Sequence, residues 1–148
     1  MKHIYSGLSL LELKDKYGIG SSGFYDNDWW FEESFAAEKP LQGEYEIDLG
    51  GDLINLTFEE QVKKLKKGYE PIHPAVLVEF ILSHYAKTQK RLLESNYART
   101  SVLISNRRVY VGSFDETGLN IFNDWDDVRN GRLGLAASLK FENGKIET

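Results

Sequence analysis

Residues 74–87 read PAVLVEFILSHYAK. Pro74 suits the first turn of a helix, because the N–H it lacks is one that a helix start leaves unpaired anyway. Val76, Leu77, Val78, Phe80, Ile81, Leu82 and Tyr85 cover most of the circumference, leaving Glu79, Ser83, Lys87 and Lys90 as a polar stripe. A helix apolar on nearly every side has to be covered on nearly every side, so it is expected at the centre of the molecule.

Beyond this helix the hydrophobic period changes from 3.6 to two. Segments 97–103, 107–114, 119–123 and 133–141 read as four strands, separated by Ser105-Asn106, Asp115-Glu116-Thr117-Gly118 and a longer loop over 124–131. Short connections favour an antiparallel meander. Before the helix, Ser9 with Glu12 has the form of a capping box that opens a short helix over 10–17, stopped by Gly18. Residues 43–49 alternate polar and apolar and end in Gly50-Gly51, a half-buried strand. Thr57 with Glu60 forms a second capping box, opening a helix with the apolar stripe Phe58, Val62 and Leu65, stopped by Gly68. Helices come first and strands later, with no alternating βαβ order. The expected architecture is therefore α+β in a single domain over 1–148: an antiparallel sheet of four to five strands packed against the central apolar helix, with two further short helices.

Composition narrows the chemistry. The sequence contains no cysteine, which removes disulfides, thiolate metal sites and a cysteine nucleophile. Residues 1–13 are interrupted by Ser6, Gly7, Ser9 and Glu12 and lack the apolar core of a signal peptide, and no run approaches the roughly 20 apolar residues of a membrane span. A cytoplasmic protein without a membrane partner is the expectation. The net charge of −5 is unevenly spread. Residues 24–60 hold eleven acids and only Lys39 as a base, whereas residues 61–110 hold ten Lys or Arg against Glu70, Glu79 and Glu94. The two blocks either solvate separate faces or attract each other, unless the basic one serves an anionic partner.

Gly18-Ile19-Gly20-Ser21-Ser22-Gly23 matches the dinucleotide fingerprint letter for letter. The mechanism needs a strand before and a helix after, whereas here a helix precedes and the acids Asp26 and Asp28 follow, so a glycine loop is the reading. His73 and His84 lie about 16 Å apart along a helix, too far to share a metal ion. The carboxylate groups Asp26-Asn27-Asp28 and Asp124-Trp125-Asp126-Asp127 match no calcium loop and are equally explained as turn chemistry. Neither a metal nor a cofactor is expected.

From 24 to 40 the chain is acidic and aromatic without periodicity. Trp29 and Trp30 stand there with Tyr25 and Phe31 among Asp26, Asp28, Glu32 and Glu33. Flat rings beside carboxylates suit a binding platform, and they suit equally a loop that clamps onto its own core.

Through Tyr97-Ala98-Arg99-Thr100-Ser101, Arg108-Val109-Tyr110-Val111-Gly112-Ser113-Phe114-Asp115, Gly118-Leu119, Trp125-Asp126-Asp127 and Leu133-Gly134-Leu135-Ala136, the chain resembles a family of small uncharacterised bacterial proteins. The likeness reaches back through Phe58-Glu59-Glu60-Gln61 and His73-Pro74-Ala75, spanning residues 25–141. It implies a bacterial origin associated with mobile elements or phage, and no activity. Within those motifs Arg99 and Trp125 can frame a site at one end of the sheet, with Asp126, Asp127 and Arg129 around it. A salt-bridged loop anchor would use the same residues.

The leading expectation is a small non-enzymatic interaction protein that binds a protein or other ligand through Trp29, Trp30, Arg99, Trp125, Asp126, Asp127 and Arg129. The first alternative is a small hydrolase or carbohydrate-active enzyme using Asp115, Asp126 and Asp127 with Arg99. The second is nucleic-acid binding through the basic block 61–110.

Overall fold

In the computed structural model, which describes residues 1–142, 145 and 146, the chain runs β1 (Lys2–Tyr5), α1 (Leu10–Tyr17), α2 (Ser34–Ala37), β2 (Gly43–Asp48), α3 (Phe58–Lys63), β3 (Glu70–Pro71), α4 (Pro74–Thr88), β4 (Tyr97–Ile104), β5 (Arg107–Asp115), β6 (Gly118–Trp125), β7 (Leu133–Leu135), β8 (Ala137–Glu142) and β9 (Lys145–Ile146). The fold is α+β. Both capping boxes form, Ser9 with Glu12 and Thr57 with Glu60.

The apolar helix α4 is buried from Pro74 to Leu82. It packs on α1 and on β1, β4 and β5, with Tyr85 edge-on to Phe114 at 5.3 Å and Phe80 against His3 at 5.5 Å. Buried residues from every layer join one hydrophobic cluster.

The strands form two sheets rather than one. One has the order β1-β2-β8-β3 with β9 beside β8; the other has the order β6-β5-β4-β7. The expected meander is β4-β5-β6, antiparallel throughout, but β7 returns parallel to β4. The expected single strand over 133–141 is divided at Ala136: Leu133–Leu135 pairs with β4, and Ala137–Glu142 crosses to pair with β2. Ala136 itself bridges the sheets, donating its N–H to Arg99 O and accepting from Ile72 N. Residues 133–137 are all buried, so no alternation marks the crossing. The crossing strand also requires glycine opposite it. Gly50, at φ +68°, lies so close to Leu135 O that a Cβ would overlap it.

Three further differences have local causes. Helix α3 stops at Lys63, and its most buried residue is Gln61 instead of the expected Val62, because Gln61 donates to Leu53 O at 2.6 Å and to Leu133 O at 3.1 Å. Glu79 leaves the expected polar stripe of α4 and is only 4% exposed. The short strands β1 and β3 carry too few residues for a periodic signal.

The glycine loop after α1 is a turn. Gly18 caps the helix at φ +74° and donates to Lys14 O, and a Cβ on Gly23 would overlap Gly18 O. The loop delivers Phe24 to the core beside Leu119 of β6.

Candidate functional site

The segment 24–40 closes the free edge of β6. Leu119 donates to Gly23 O, Tyr25 donates to Leu119 O at 3.0 Å, and the Asn27 amide reaches Asn120 Oδ1 and Ile121 O. An open edge strand invites pairing with other chains, and this segment covers it. Trp30 is 1% exposed, stacked on Phe24 at 5.8 Å with its indole N–H on Asn27 Oδ1, so it belongs to the core. Trp29 lies half-buried at the margin, its indole N–H on Ile121 O at 2.8 Å.

From Trp29 a row of rings crosses the face of the second sheet that α4 does not cover. Trp29 meets Phe122 of β6 at 6.3 Å, Phe122 meets Tyr110 of β5 at 6.1 Å, and Tyr110 meets Tyr97 of β4 at 5.5 Å. The register explains the alignment. Tyr110 and Phe122 are direct cross-strand partners, while Val111 and Ile121 beside them are partners on the buried face. Phe122 is 44% exposed; Tyr97, Tyr110 and Trp29 are half-buried. Asp124 follows Phe122 on the same face of β6, and Asp26 and Asp28 precede Trp29 in the edge segment. Among the described residues none of these three carboxylates lies within ion-pair distance of a cation. Burial, and then the Asp124 charge, push the Tyr110 phenol above its ordinary value.

The same face continues into an anchored loop. Arg99 is 1% exposed and donates to Leu56 O at 3.0 Å, Gln61 Oε1 at 2.9 Å, Val128 O at 2.7 Å and Trp125 O at 3.4 Å. Burial works against its charge and lowers its pKa, while Asp126, Asp124 and Asp127 favour the charge. Arg108 grips both oxygens of Asp126 at 2.9 Å and lies 3.6 Å over the Phe58 ring. Arg129 pairs with Glu60 at 2.6 Å. Arg99, Asp126 and Arg129 thus tie the 124–129 loop and α3 to the sheet. Asp127 is exposed, and Trp125 is 47% exposed with Arg107 stacked 4.8 Å from its ring. The structure brings Arg99 and Asp126 together at the loop and ties Arg129 to α3 beside them, but Arg99 meets Trp125 only at its carbonyl, while the Trp125 ring stacks with Arg107, its cross-strand partner. Trp29 lies apart on the edge segment of the same sheet.

The carboxylates expected of a hydrolase are dispersed. Asp115 lies at the opposite end of β5 from Arg108, roughly 20 Å away at strand rise, and accepts from Thr117 in its own turn. Among the described residues, none of the five best-formed cavities is lined by Arg99, Asp126 or Asp127. The basic block is likewise divided. Arg99 and Arg108 are buried, Arg91 lies over Tyr85 and Phe114, and Lys63 and Lys66 pair with Glu59 and Asp48. Among the described residues no three His, Asp or Glu side chains are placed to hold one metal ion, and no helix is long and apolar enough to cross a membrane.

Sequence reasoning missed two groups. Phe122 was legible from the alternation Leu119-Asn120-Ile121-Phe122, which points Phe122 away from the core. The other is a polar cluster on α4: Glu79 accepts from His3 Nε2 at 2.7 Å, from Ser6 N–H at 3.1 Å and from the Ser6 hydroxyl. Burial alone would raise the Glu79 pKa, but these hydrogen bonds and the His3 charge outweigh it and hold the carboxylate below its ordinary range. Only the incongruity of one acid inside an apolar helix signalled it.

No protein family, no curated protein and no solved structure matches the chain.

Proposed function

We propose that the protein is a non-enzymatic binding module that takes a cationic segment of a partner protein on the ring row Tyr97-Tyr110-Phe122-Trp29. The observation that carries this reading is the row itself: four aromatic side chains from three strands and the edge segment, in contact and partly open on one sheet face. Rings give large contact area at little entropic cost, and their faces attract guanidinium and ammonium groups. Asp26 and Asp28 add negative charge without an ion-pair partner beside Trp29, and Asp124, which also acts on the Arg99 guanidinium, adds negative charge beside Phe122, which suits arginine and lysine and opposes phosphate. The buried Arg99 network makes the neighbouring loop rigid, so the platform is formed before a partner arrives.

A fluorescein-labelled peptide of alternating Arg and Gly tests this by anisotropy. Saturable binding is expected, weakened as salt is raised from 50 to 300 mM, and lowered tenfold or more by Phe122→Ala and by Tyr110→Ala at unchanged melting temperature. Equal binding by Phe122→Ala and wild type would overturn the reading.

A further inference from the structure

Strand β1 is an edge strand of the first sheet, paired only with β2. Met1 O accepts from Ile47 N, and the antiparallel register pairs His3 with Tyr45 and Tyr5 with Gly43. The odd residues therefore turn their backbone groups toward β2, and Lys2, Ile4 and Ser6 turn theirs outward. Ser6 N–H already has a partner, because Glu79 reaches from α4 and accepts it as a neighbouring strand would. The backbone groups of Lys2 and Ile4 face a groove of about 560 Å³ that runs between β1 and the α1–α4 pair.

The groove has the form and the charge to receive a strand. Its volume lies within the usual range of ligand pockets. One wall is the edge strand, where Ile4 is 76% exposed. The other wall carries Lys16 from α1 and Ser83 and Lys87 from α4. The two acids that line it are committed, Glu79 to His3 and Ser6, and Glu44 to Lys2 at 3.8 Å. Lys16 and Lys87 have no carboxylate partner among the described residues. The groove therefore carries net positive charge in a protein whose net charge is −5.

We infer that β1 and this groove form a second binding site, which takes an extended acidic segment of another protein by strand addition. Main-chain hydrogen bonds from Lys2 and Ile4 supply the pairing, and Lys16 and Lys87 select carboxylate side chains on alternate positions of the added strand. The site is independent of the aromatic row: it lies on the other sheet and takes the opposite charge.

The test uses blocked six-residue peptides alternating Glu with Val, with Lys-for-Glu peptides as controls, followed by amide NMR and hydrogen exchange on the full chain. The acidic peptide is expected to bind saturably and to slow exchange of the Lys2 and Ile4 amides at least tenfold. Lys16→Glu and Lys87→Glu, both at exposed positions, should each weaken it by tenfold or more, while Lys63→Glu, at the end of α3 and outside the groove lining, leaves it unchanged. Equal binding of the Lys peptide, absence of binding by either peptide, or binding without protection of Lys2 and Ile4 would overturn the inference. Protection that grows with protein concentration in the absence of peptide would also overturn it, since the edge would then be occupied by a second copy of this chain.

Discussion

Arg99 donates a guanidinium N–H to Gln61 Oε1 at 2.9 Å, and neither side chain is more than 1% exposed. The same guanidinium also holds Leu56 O and Val128 O, so one cation closes two loops onto β4. Removing it leaves those acceptors buried and unpaired. Arg99→Ala is therefore expected to cost about 3 kcal/mol or more, read from urea denaturation. Arg99→Lys should recover little of this, since a single ammonium cannot reproduce the planar fork that reaches both loops.

The adjacent tryptophans divide between inside and margin. Trp30 packs between Phe24 and Phe31, so Trp30→Ala should cost about 3–5 kcal/mol. Phe122→Ala, on the open side of the sheet, should change stability by less than about 1 kcal/mol. Thermal melts of the two variants compare the costs directly. A large loss for Phe122→Ala would mean that the ring row serves packing alone.

Much of the fold was legible where local signals agree. The capping boxes at Ser9 and Thr57, the Pro74 start of α4 and the alternation of 107–114 each correspond to one physical cause acting within a few residues. The division of the strands into two sheets was not legible, because the Leu133-Gly134-Leu135-Ala136-Ala137 run is buried throughout and shows no period at the point where it changes partners. The aromatic row was partly legible. Tyr110 and Phe122 each alternate with inward neighbours, but their pairing depends on a bulge between Val111 and Phe114 that shifts the β5–β6 register by one residue. Counting back from the Glu116-Thr117 turn without that bulge would set Phe122 opposite Val111. The Arg99 network drew on residues the motifs had marked, yet whether they formed a site or an anchor depended on Gln61 and three carbonyls, and backbone acceptors leave no trace in sequence.

Glu79 provides a pH test. Its folded pKa is depressed, so the unfolded chain binds its proton more readily and the carboxylate contributes stability above the ordinary glutamate value near 4.3. That contribution is lost as pH falls through the lower folded value. Between pH 5 and pH 3 the wild-type melting temperature should fall more steeply than that of Glu79→Gln, which carries no titrating group there. Parallel acid limbs would show that Glu79 gains nothing from His3 and Ser6.

His73 gives a second, at higher pH and with the tautomer fixed by geometry. Its Nδ1 accepts the Ala75 N–H at 3.0 Å and so caps α4, while Nε2 donates to Glu38 Oε1 at 2.8 Å. Only the neutral ring has a lone pair on Nδ1, so protonation converts the cap acceptor into a donor facing another donor. Burial lowers the His73 pKa despite the pull of Glu38. The cap therefore stabilises the fold fully above the ordinary histidine value near 6.5, and its contribution disappears as pH falls through the lower folded value. The Ala75 amide resonance should titrate with a midpoint below 6.5. His73→Asn, which keeps a capping acceptor, should remove that titration at nearly unchanged stability, whereas His73→Ala should cost about 1 kcal/mol at neutral pH. An Ala75 amide that does not move as the pH is lowered from 7 to the onset of acid unfolding in the wild type would mean that the cap is not made by the imidazole.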